Sequence, residues 1–356
     1  MTSRDRVLTA MRHQLTDRPP FDFSWGFSPA QLDRFRARTG ADDPDEFFGA
    51  DTRMVRPSPS RLQTDYSGYV DLPPGGWVDE WGVGRRPSSS PDAAHAHLDG
   101  FIHPLARRTA ERDASEYPLP DLDADYRYAD LGARVAQVQA RGLAALAIMD
   151  CTIFEVAWYL RSMEQLLLDF ADGRDFARIL LDRITALRVV QARRYAEAGA
   201  DVICTGDDVG TQRGMLMSVR MWRRWLRPRL AQVIAAAKSA RGDVLVFYHS
   251  DGDVTAIVPD LIEIGVDILN PVQPECMDPV TLCRDFGDRL GLWGTVGTQT
   301  TFPFGTPADV RREVRARIAT VGAKGGLFLA PTHMIEPEVP FENIVAFVEA
   351  VKGRLD

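Results

Sequence analysis

The chain has 356 residues, 45% of them hydrophobic and 26% charged, with 42 Lys and Arg against 50 Asp and Glu and a formal charge of −8. This apolar content excludes a disordered chain, and the acidic balance, with a pI of about 5.4, gives no electrostatic footprint for nucleic acid or an anionic membrane. No run approaches the roughly 20 apolar residues of a membrane span, Met1–Arg12 lacks a signal-peptide core, and the four cysteines form no CxxC pair or secreted framework, so a reduced, cytoplasmic protein is expected.

Phe21–Phe23 is the first short strand candidate. Residues 55–128 then break the pattern. They are rich in Pro, Gly, Ser and Asp and read as a loop-rich elaboration, with a small β-layer, capping one face of the fold. Trp77, Trp81, Asp79 and Glu80 either line a site mouth there or pack locally. Ala144–Met149 is an apolar strand ending at Asp150. The residues Val156, Leu160, Met163, Leu167 and Phe170 step by three and four, which predicts one amphipathic helix. Further strands are predicted at Asp201–Thr205, Val244–Tyr248, Val266–Leu269 and Leu290–Trp293. A helix over Pro307–Val321 carries Thr306 at its N-cap, Pro307 at its first position and Gly322 past its end. Leu327–Leu329 is the last strand.

Strands that are apolar throughout, separated by amphipathic helices, indicate a parallel sheet covered by helices. Seven recognisable strands and one unplaced strand predict an α/β fold of the (β/α)8 TIM-barrel type, 1–356 as one domain, in preference to an open sheet. No GxGxxG follows a strand and no GxxxxGK[ST] occurs, so no nucleotide cofactor is expected.

In such barrels the reacting groups follow the C-terminal ends of strands. Polar residues gather there: Asp150, Asp207 and Asp208, His249 to Asp251, Asn270 with Gln273, Thr295 with Gln299, and Thr332 with His333. His249 and Asp251 are two apart, and on extended backbone both point the same way. With His333 arriving from a later strand, they make a donor set for Zn²⁺ or non-haem Fe(II). The bland alternative is that His249 only hydrogen-bonds, while Asp251 or Asp253 caps the next helix. Asp207 and Asp208 either serve as acid–base groups or order their loop by pairing with Arg213. Glu155, at a helix start, either faces the barrel mouth or serves the helix dipole. Cys276 is a soft ligand or nucleophile, or inert; Cys151 and Cys204 read as packing residues. His13, His95, His97 and His103 read as solvated.

Several stretches together resemble the uroporphyrinogen decarboxylase superfamily. They are Ser3–Gln14 with Asp17-Arg18-Pro19-Pro20, Gly206–Gly210, His249–Gly252, Asn270–Pro274, Gly325–His333 and Pro340–Ile344. The resemblance covers nearly the whole chain and implies a (β/α)8 barrel with its site at the C-terminal face. True decarboxylases of the family carry an Arg-Gln-Ala-Gly-Arg stretch that holds substrate carboxylates. Here the matching stretch reads Phe23-Ser24-Trp25-Gly26-Phe27. Zinc-dependent methyltransferases of the same superfamily carry His-x-Cys and a later Cys. Here His249-Ser250-Asp251 aligns with the first, and His333 falls where the later Cys would be.

The resemblance therefore implies metal-dependent methyl transfer or demethylation of a small substrate, with corrinoid supplied by a separate partner protein. It implies His249, Asp251 and His333 as metal ligands, zinc being favoured. Asp207, Asp208 and Glu155 are the expected catalytic groups. Trp25, Gln273, Gln299, Arg213 and Asn270 are the expected substrate contacts. A homodimer is a family-level expectation. Metal-free decarboxylation and a non-enzymatic tetrapyrrole- or corrinoid-binding accessory role are the alternatives.

Overall fold

The structure, a computed structural model, describes residues 1–87 and 100–353. His95 and His97 lie outside the described residues. Seven parallel strands form one curled sheet in strict chain order. They are β1 (Thr52–Val55), β2 (Ala144–Ile148), β3 (Val202–Gly206), β4 (Leu245–His249), β5 (Ile268–Asn270), β6 (Gly291–Val296) and β7 (Leu327–Pro331). This is the TIM-barrel-type α/β architecture that the alternation of apolar strands and helices predicts. The inner face of the sheet has its own cluster of buried side chains, including Leu146, Cys204, Phe247, Trp293 and Phe328. Trp293 stacks on Phe328 with ring centroids 3.4 Å apart.

Two expectations about strands need correction. The unplaced strand is Thr52–Val55, which pairs in parallel with β2; with the long side chains of Arg53 and Met54 between two β-branched residues and no apolar run, TRMV carries little strand signal. Phe21–Phe23, expected as a strand, makes only an isolated bridge to Leu329. The Phe21 carbonyl also accepts from the Asp51 N–H at 2.9 Å. This segment thus lies between the two edges of the sheet without a continuous ladder, so the barrel is not closed by an eighth strand.

The helix after Asp150 is also two helices, α1 (Phe154–Arg161) and α2 (Met163–Asp172). Ser162, at φ 71°, separates them and caps α2 through its hydroxyl. The break resets the helical phase, so Leu166 and Phe170 are buried while Leu167 is not. The Pro307 helix runs Pro307–Thr320 with Thr306 at its N-cap as expected, and Asp309 completes a capping box with it.

Within the loop-rich region, Trp77–Val78, Gly84–Arg85 and Phe101–Ile102 form a small antiparallel sheet. Asp79 pairs with Arg85 and Glu80 with Arg127. His103, expected in solvent, is half-buried on Phe101, with Nδ1 2.8 Å from the Tyr159 carbonyl. No helix among the described residues is long and apolar enough to cross a membrane.

Candidate active site and metal centre

The C-terminal ends of the strands open into a cavity of about 650 Å³. Trp25, Glu155, Asp208, His249, Asp251, Gln273, Gln299 and His333 all line it. Side chains from seven separate segments, the first and last some three hundred residues apart in the chain, therefore meet where the strand-end rule expects them.

The centre of this cavity is built by β3 and β4, which are neighbours. Gly206 at the end of β3 lets the His249 backbone approach: a Cβ there would sit 2.6 Å from the His249 Cβ. Gly252, at φ +80°, lets the next loop touch Gly210 and Thr211, where a Cβ would meet backbone atoms at 2.6 Å. These contacts bring Asp208 against His249 and Asp251. One ligand atom from each of the three lies within 4.8 Å of the others. His249 Nε2 is 3.5 Å from Asp208 Oδ1 and 3.9 Å from Asp251 Oδ1.

The orientation of His249 follows from a second residue. The Asn270 amide donates from Nδ2 to the Trp293 carbonyl at 3.2 Å, which turns Oδ1 toward the imidazole. His249 Nδ1 lies 2.6 Å from that oxygen. Nδ1 therefore donates to Asn270, and Nε2 is directed toward the two acids, where it can serve as a ligand atom for a cation between them. Trp25 packs edge-on against the same ring, with centroids 5.1 Å apart.

Asp251 supplies the sharpest test of whether a cation fits. Its Oδ1 is buried and has no hydrogen-bond partner. Buried carboxylate oxygens are normally satisfied. Burial raises the Asp251 pKa, Asp208 adds to the rise, and His249 opposes it. An ion with ~2.0–2.2 Å bonds places tetrahedral ligand atoms about 3.3–3.6 Å apart, and the two spacings from His249 Nε2, 3.5 and 3.9 Å, lie within and just beyond that range. One neutral imidazole nitrogen and two carboxylates, one of them orphaned, fit a borderline or hard divalent cation.

The expected ligand trio is thus regrouped. Asp208, expected as a catalytic acid–base group, completes the tight cluster, because it comes from the strand beside His249. His333 follows β7, three strands further round the sheet. It lines the cavity and lowers the Asp251 pKa, but it stands outside the cluster.

Other assignments change as well. Asp207 faces away from the cavity and caps α1: its carboxylate accepts the Ile153 and Glu155 N–H groups at 2.9–3.0 Å. Its burial lifts the pKa to about 6, against the pull of those bonds. Arg213 is exposed on the Gly210–Met215 hairpin and does not line the cavity. Asn270 does not line it either; its amide positions His249. Asp253, rather than Asp251, caps the following turn through the Thr255 N–H at 2.9 Å. Cys276 points to Gln212 outside the cavity lining, whereas Cys151, expected only to pack, does line it.

Glu155 faces the cavity as one of its two readings required. Its Oε2 accepts the Asp208 N–H at 3.1 Å and its Oε1 accepts the Tyr159 hydroxyl at 3.0 Å. Burial, then the charges of Asp208 and Asp207, hold its pKa well above the ordinary carboxylate range. Tyr159 is the residue that sequence reasoning passed over. Its signal was available: it stands at i+4 from Glu155 on α1, hence on the same face.

A TIM-barrel-type sheet with a polar, acid-rich site past its strand ends defines a barrel of the enzyme type. The profile of the uroporphyrinogen decarboxylase (URO-D) family matches residues 147–354, more than half of the sequence, and the chain belongs to that family. It is 33% identical over 171 residues to the methylcobamide:CoM methyltransferase MtaA of Methanosarcina barkeri, covering 48% of this chain and 47% of that protein. It is 25% identical over 182 residues to the uroporphyrinogen decarboxylase of Coxiella burnetii, covering 50% and 48%. The chain thus spans about half the length of the curated relatives it matches. A methyltransferase from Methanosarcina mazei shares the fold, with a TM-score of 0.69 at 21% identity over 99% of both chains. These relatives are named as enzymes of two kinds, a methyltransferase and a decarboxylase.

Proposed function

We propose that this chain is a single barrel domain that catalyses metal-dependent methyl transfer or demethylation of a small substrate, with corrinoid carried by a separate protein. The observation that carries the reading is the cluster of Asp208, His249 and Asp251, with Nε2 of His249 turned into the cavity by Asn270. The resemblance to a methylcobamide-dependent methyltransferase supports the corrinoid partner.

Asp208, His249 and Asp251 would hold the cation, zinc before Fe(II), and His333 stands on the same wall. When bound, such a cation supplies Lewis acidity that keeps a coordinated oxygen or sulfur nucleophilic at neutral pH. Two carboxylates in place of thiolates favour an oxygen-linked substrate. Glu155, whose pKa burial raises, is the group placed to exchange a proton beside Asp208. Tyr159 fixes its carboxyl group. Trp25, Met334 and Val339 give the cavity apolar walls that limit water. Gln273, tied through Oε1 to the Gly252 N–H at 2.8 Å, and Gln299 are the polar contacts for substrate.

The test is to incubate zinc-loaded protein with methylcobalamin and either a small thiol or a small alcohol or phenol, following the corrinoid spectrum. Metal-dependent demethylation of the corrinoid that is lost in His249→Ala supports the reading. Release of CO₂ from uroporphyrinogen, unaffected by chelator, would assign the chain to the decarboxylases instead. A tetrapyrrole bound without turnover would leave only the accessory role.

A further inference from the structure

The wall of the cavity formed by Asp150, Cys151 and Tyr159 has a second side. These three residues also line another cavity, of about 600 Å³, lying between the end of β2 and the small antiparallel sheet. Four arginines line it, Arg56, Arg85, Arg127 and Arg188, against the acids Asp79, Glu80 and Asp150. A fourth acid, Asp121, also pairs with Arg127 at 3.3 Å.

Three of the arginines are matched. Arg56 pairs with Asp150 at 2.9 Å, Arg85 with Asp79 at 3.1 Å and Arg127 with Glu80 at 2.9 Å. Arg188 is not. It is only 4% exposed. Its Nε donates to the Thr152 carbonyl at 3.0 Å, one Nη to Gln191 Oε1 at 2.6 Å and the other to the Cys151 carbonyl. Among the described residues no carboxylate lies within ion-pair distance of it. These bonds use three of the five N–H donors of a guanidinium. Arginine cannot shed its charge at neutral pH, and a buried charge without a counter-charge is costly.

The surroundings specify what kind of counter-charge fits. The Arg188 guanidinium lies 5.0 Å from the centroid of the Trp81 ring, and Arg85 lies 4.2 Å from that of Phe101. Phe101 stacks on Tyr159 at 4.8 Å, with the planes 9° apart. Flat aromatic faces therefore border the cationic corner, and a bidentate guanidinium matches a carboxylate. We infer that this second cavity is a binding site for a flat organic carboxylate, with Arg188 supplying the counter-charge and Trp81 and Phe101 the stacking surfaces. The inference does not depend on the metal reading. The shared wall places such a ligand next to Cys151 and Tyr159, one side chain away from the main cavity.

Benzoate and benzamide are isosteric probes that differ in charge, and calorimetric titration with each tests the inference. Benzoate is expected to bind saturably and at least about tenfold more tightly than benzamide. Arg188→Gln is expected to erase that preference, and His249→Ala to leave it unchanged, which separates this site from the metal centre. Arg188 also holds two loop carbonyls, so a folded Arg188→Gln variant is not required: crystals of the unaltered protein soaked in 4-bromobenzoate should give a bromine anomalous peak in this cavity with the carboxylate on Arg188. Equal affinity for benzoate and benzamide, or a bromine peak absent from this cavity, overturns the inference.

Discussion

Replacing Asn270 with Ala should loosen metal binding without touching any metal ligand. The Asn270 Oδ1 accepts the His249 Nδ1 proton at 2.6 Å, and the Asn270 amide is itself held by the Trp293 carbonyl. With Ala, the imidazole loses the bond that fixes both its tautomer and its tilt. A buried donor left without a partner costs about 1–3 kcal/mol, and at about 1.4 kcal/mol per factor of ten this is roughly a 5- to 150-fold loss. Partners of metal-ligating histidines generally contribute about 10- to 100-fold in affinity. The assay is a zinc titration of metal-free protein in competition with a chromophoric chelator at neutral pH. Thermal melts of the metal-free variant check that the Trp293 strand remains folded. His249→Ala serves as the upper limit of the loss. Unchanged zinc affinity in a folded Asn270→Ala protein would refute the reasoning, because Nε2 would then not depend on the Asn270 bond for its direction.

Other outcomes separate groups that lie close together. Asp208→Ala should lower zinc affinity at least about tenfold in the same titration, and His333→Ala should lower it less, since only Asp208 belongs to the tight cluster. Asp207→Ala should cost about 1–2 kcal/mol of stability in urea denaturation, because the Ile153 and Glu155 N–H groups at the start of α1 lose their acceptor; a loss below a few tenths would contradict the capping role. Asp22, buried beneath Trp25 and Trp293, has its pKa raised from 3.8 to about 7, chiefly by desolvation. Its contribution to stability is intact below pH 3.8 and declines until about pH 7, because the unfolded chain ionises first. Asp22→Asn should therefore flatten the stability profile between about pH 4 and 7 and gain on the unaltered protein by at most about 4 kcal/mol above it; parallel profiles for the two proteins would contradict the assignment.

Six of the seven sheet strands were legible because they are apolar on both faces, as strands between helix layers must be. Thr52–Val55 escaped because Arg53 and Met54 interrupt its pattern and the loop-rich stretch begins at its end. The helix break at Ser162 escaped for another reason: a serine at positive φ satisfies the next helix through its own hydroxyl, and the period of three and four runs through it undisturbed. At the site, Asp208, His249, Asp251, Gln273, Gln299 and His333, which the strand-end rule groups, line one cavity, and so does the helix-start residue Glu155. The rule did not rank them. Whether Asp207 or Asp208 enters the cavity turns on one peptide unit, and the choice is made by the N–H groups of α1, which take Asp207. Asn270 looked like a substrate contact because it is polar and follows a strand. Only the neighbouring Trp293 carbonyl reveals that it serves His249. Arg188, in mid-helix and far from any motif, gave no signal; its burial beside Trp81 depends on packing that no local pattern encodes.

On the proposed function, Asp208, His249 and Asp251 hold one divalent cation. The most direct measurement is metal analysis of protein purified without added metal, joined to anomalous diffraction at the zinc edge. About one zinc per chain is expected, as purified or after loading, with a single anomalous peak between His249 Nε2 and the two carboxylates. Less than about 0.2 metal per chain after zinc loading, with no peak among these three side chains, would contradict it.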